Sequence, residues 1–124
     1  MVGPLVTARR ILDSVLDGTI DIGPLDSYWH LLIRKYRPDL VAGTRVLEST
    51  DLAPIPAFVS GPRLDEADRR RLASAFEAAS AAPWFGPLAE ALCIEGFRAV
   101  SREDFAPTLQ WDRDAKAAGY THPA

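Results

Sequence analysis

Cys93, His30 and His122 are the only thiol and imidazole groups in the 124-residue sequence. A cysteine beside a histidine is the pairing that nucleophilic catalysis at neutral pH would require. Cys93, however, lies in the apolar run Ala91-Leu92-Cys93-Ile94, where a single cysteine acts as a small hydrophobe. His30 falls on an expected helix and His122 beside Pro123 near the C-terminus, so a shared site requires that terminus to fold back. There is no G-x-S-x-G elbow, H-E-x-x-H pair, Walker loop or glycine-rich dinucleotide turn. One cysteine also excludes an intrachain disulfide and a cysteine-based zinc cluster. The expectation is a protein that is not an enzyme and carries no cofactor and no metal.

The most informative chemistry lies between Gly18 and Trp29, in the run Gly-Thr-Ile-Asp-Ile-Gly-Pro-Leu-Asp-Ser-Tyr-Trp. It reads as a strand end, a tight turn and a helix start in succession. A helix start offers unpaired backbone N–H groups, here from about Ser27 to Trp29, with the positive end of the helix dipole behind them. A carboxylate or phosphoryl group suits such a place. Asp26 admits two readings. As the helix cap its carboxylate takes one of those donors; turned into a cleft, it would recognise a cation such as an ammonium group.

The elements that must position this turn follow from periodicity and caps. Thr7 caps a helix from Ala8 to Asp17 with Ile11, Leu12, Val15 and Leu16 on one face, and Gly18 stops it. Ile20 and Ile22 alternate as a short strand, and a helix from Ser27 to Arg37 ends at Pro38. Arg45–Thr50 alternates like a strand and Ile55–Val59 is a short apolar run, with Pro54 and Pro56 confining it to an edge or a crossing. A helix over Asp65–Ser80, a short one over Leu88–Leu92 and a weak extended piece over Phe97–Val100 follow. A capping pattern at Ser101–Asp104 then opens a last helix reaching about Ala118. This order predicts an α/β fold with a small sheet flanked by helices, some of whose edges need another chain.

Composition sets the outer bounds. A chain that is 48% hydrophobic and 25% charged is average for a globular domain, and its mass of 13.6 kDa allows one compact unit. The net charge of -3 argues against nucleic acid or an anionic membrane as the main partner. Twelve arginines against two lysines suit planar anion recognition, yet they are spread from Arg9 to Arg113, as on solvated helix faces. No apolar run approaches the ~18 residues of a membrane span, and the N-terminus lacks the basic and apolar regions of an export signal.

The run from Ala8 to Tyr28 resembles the second half of a phosphate/phosphonate-type ABC-transporter solute-binding protein, in which a helix ending in Gly leads to roughly G-x-x-D-V-G-x-x-D-S-Y. Arg45-Val46-Leu47 with Ser49-Thr50, then Pro54-Ile55-Pro56 and Phe58-Val59, resemble the strand that returns between lobes. Gly96-Phe97, Asp104-Phe105 and Ala117-Ala118-Gly119-Tyr120 resemble the C-terminal end. The resemblance implies part of a type II periplasmic-binding-protein fold, two α/β lobes closing on a small anionic solute by a hinge, without catalysis. It covers the C-terminal half of a full member, which is roughly twice as long. It implies that residues 1–44 belong to the second lobe, 45–60 cross and return through the hinge, and 61–124 rejoin the first lobe. Asp26, Ser27 and Tyr28 match the turn facing the cleft, and Ser49, Thr50 and Pro54 lie near the crossing. The implied partners are a phosphate- or phosphonate-like solute and an ABC permease. The implied location is the periplasm, whereas the sequence as written, with no signal peptide, would stay in the cytoplasm. The competing expectation is a non-catalytic interaction module that homodimerises through exposed strand edges.

Overall fold

The computed structural model describes residues 7–120. The chain divides into two compact units, the first running to Thr50 and the second beginning at Asp51.

The first unit is built on two helices. In α1 (Ala8–Leu16) Thr7 is the cap, its hydroxyl oxygen accepting from the Arg10 N–H at 3.3 Å. The helix closes through Asp17 and Gly18, the latter at φ +78°, a conformation that glycine adopts without a Cβ penalty. Leu12 is 1% exposed and anchors the apolar face of α1. The chain after α1 folds back on it. The Ile20 N–H donates to the Ser14 carbonyl at 3.0 Å, and a side chain at Gly23 would collide with Ile11 and press on Ile20. α2 (Ser27–Tyr36) starts at Asp26 and carries Arg34 and Lys35 in its last turn, where positive charge suits the dipole. Pro38 ends it as expected and opens a 3-10 turn, Pro38–Val41, that sequence periodicity did not anticipate.

The second unit holds three helices. α3 (Glu66–Ala78) is capped by Asp65, whose carboxylate accepts from the Asp68 N–H at 2.8 Å. Glu66 pairs with Arg69 at 2.9 Å and Arg70 at 3.4 Å, and Asp68 with Arg71 at 3.2 Å. Pairs this exposed contribute a few tenths of a kcal/mol at most, roughly 0.2–0.5 each. α4 (Phe85–Leu92) begins three residues before the expected Leu88, because Pro87 sits in the first turn, where no N–H is needed. α5 (Ala106–Ala117) follows a 3-10 turn, Glu103–Phe105. The Ser101 N–H and hydroxyl both meet the Asp104 carboxylate, at 2.7 and 3.2 Å. That carboxylate is consequently held below its ordinary pKa, first by the Ser101 N–H and then by its hydroxyl. The capping pattern is thus used by the 3-10 turn and α5 starts later than expected.

A cluster of aromatic rings gathers around the buried Phe85 of this unit. Phe97 lies edge-on to Phe76 at 5.1 Å and to Phe85 at 6.0 Å between ring centroids, and Phe58 stacks on Phe76 at 5.0 Å. Phe85 and Ala79 are buried. Phe58, expected in a strand, is tethered by ring contact instead.

The expected α/β fold, a partial type II periplasmic-binding-protein-like arrangement with a small sheet, is overturned. The described residues hold α-helices and 3-10 turns and no strand. Alternation places side chains on two faces, but a strand exists only where its backbone finds a neighbouring ladder. The Ile20 amide bonds α1, the Ala99 amide donates to the Glu77 carboxylate at 3.2 Å, and Pro54 and Pro56 have no amide hydrogen to give. From Arg45 to Ser60 no backbone group pairs with another backbone group among the described residues.

Candidate functional site

Asp26 has φ -60° and ψ 126°, and its Oδ1 accepts from the Trp29 N–H at 2.6 Å while its carbonyl accepts from His30 at 2.9 Å. Asp65 caps α3 with the same pattern, so the geometry at Asp26 is that of an ordinary cap. Of the two readings the sequence left open, the capping bond is the one formed. Only Oδ1 is engaged, and Oδ2 accepts nothing among the described residues. Ser27, the first residue of α2, is exposed, and Tyr28 beside it is half-buried. These three residues therefore sit together at one helix start, offering a carboxylate oxygen, a hydroxyl and first-turn amides.

The other nominated residues lie on chain without regular structure. Ser49 and Thr50 are exposed at the end of the first unit, the Ser49 N–H donating to the Glu48 carboxylate at 3.3 Å. Pro54 is half-buried in the second unit. Elsewhere in the first unit, the carboxyl of Asp39 is held below its ordinary range by a hydrogen bond from Arg37, the pair lying at 2.9 Å.

Cys93 is half-buried at the end of α4, its thiol 3.9 Å from the Glu90 carbonyl. His30 is half-buried on α2 in the other unit, and His122 lies outside the described residues. Among the described residues no cluster of His, Cys, Asp or Glu is arranged to hold a metal ion, and no helix is long and apolar enough to cross a membrane. An open hollow in the second unit is lined by Ser60, Gly61, Pro62, Arg63 and Leu64. None of these was nominated from sequence. The Gly61-Pro62 pair marks a turn, the one signal that pointed there.

The model of a protein family described as ABC transporter, phosphonate, periplasmic substrate-binding protein matches residues 5–105. The chain belongs to this family. No curated protein and no solved structure matches it. The phosphonate-binding family match encloses Asp26, Ser27, Tyr28, Ser49, Thr50 and Pro54 and stops just before α5. The likeness noted at Ala117–Tyr120 falls outside it. Membership makes substrate binding for an ABC transporter the family activity, in a family of periplasmic proteins.

Proposed function

We propose that this chain receives a small phosphonate-type oxyanion for an ABC uptake system in the periplasm and performs no reaction on it. The observation that carries the reading is the family match over residues 5–105. The start of α2 supplies the chemistry: the Ser27 hydroxyl and the positive end of the helix suit the phosphonate oxygens. The Asp26 carboxylate, which opposes a bare anion at the same helix end, has Oδ2 open to an ammonium group. An aminoalkylphosphonate, carrying both charges, therefore fits this helix start better than inorganic phosphate. Ser49, Thr50 and Pro54 are further proposed contacts, and an ABC permease is the partner that takes delivery.

Thermal denaturation with 2-aminoethylphosphonate, methylphosphonate, phosphite, phosphate and glycine tests this. A ligand at about a hundredfold excess over its Kd adds about 2.7 kcal/mol, a rise of several degrees in a chain of this size. The expected order places 2-aminoethylphosphonate first. Ser27→Ala should weaken binding at least about tenfold with little change in the unliganded melt, whereas Asp26→Ala should cost about 1 kcal/mol of stability as well. A flat response to every compound at millimolar concentration overturns binding by this chain.

A further inference from the structure

We draw no further inference here: the strongest candidate, the exposed aromatic patch of the second unit where the rings of Phe58, Phe76, Phe97, Phe85 and Trp84 run in contact and Phe58 and Trp84 stay open to solvent, carries none because nothing in the structure shows what covers it.

Discussion

Cys93 closes α4 at φ 54°, in the left-handed region that Gly18 and Gly119 occupy after α1 and α5. The surrounding hydrogen bonds are those of a glycine-type helix end: the Ile94 N–H reaches the Ala89 carbonyl at 3.0 Å and the Cys93 N–H reaches Glu90 at 3.4 Å. A side chain in that conformation costs about 1–2 kcal/mol, and glycine returns part of this through its looser unfolded chain. Cys93→Gly should therefore stabilise the protein by about 0.5–1 kcal/mol, read as a higher urea midpoint at unchanged slope. A lower midpoint would show that the packing of the half-buried thiol outweighs backbone strain. The same residue tempers the reading of Cys93 as a small apolar filler: its backbone, which the sequence run did not disclose, is its unusual feature. At Asp26 the sequence was informative in a different way. The spacing to Trp29 made a cap legible because capping is local, whereas solute contact depends on what else approaches that helix end.

The elements divide by how local their causes are. Helices α1, α2 and α3 were readable within a residue or two, since amphipathic spacing, an oxygen-bearing cap and a proline or glycine stop all lie inside each segment. The strands were not, because Ile20–Ile22, Arg45–Thr50, Ile55–Val59 and Phe97–Val100 each carry half of a pairing whose other half is not encoded nearby. The expected start of α4 at Leu88 was three residues late, since Phe85, Gly86 and Pro87 form its first turn. The packing of α1 offers a sharp test at this scale. At Gly23 an added Cβ meets the Cγ2 of Ile11, a β-branched group with little rotamer freedom, so Gly23→Ala should cost about 1–3 kcal/mol. At Gly43 the added Cβ would lie 2.8 Å from the Cδ2 of Leu16, the far end of an exposed and adjustable side chain. Gly43→Ala should therefore cost less than about 1 kcal/mol. Chemical denaturation of the two variants side by side checks the contrast, and equal losses would contradict this account of how α1 is covered.

At the scale of the molecule, few groups among the described residues are deeply buried: Leu12 in the first unit and Phe85 with Ala79 in the second. Amides from Arg45 to Ser60, apart from the prolines, should exchange with deuterium near the rate of unstructured chain, while those inside α1 to α4 are protected. Mass spectrometry of peptides after brief labelling measures this. The uncovered run from Val46 to Val59 also has a consequence for the life of the protein. Cellular quality control recognises apolar chain left open, and small shifts in the fraction so exposed change abundance several-fold. The amount of this protein that a cell retains should therefore follow the occupancy of that run, with copies whose run is covered outlasting those whose run is bare.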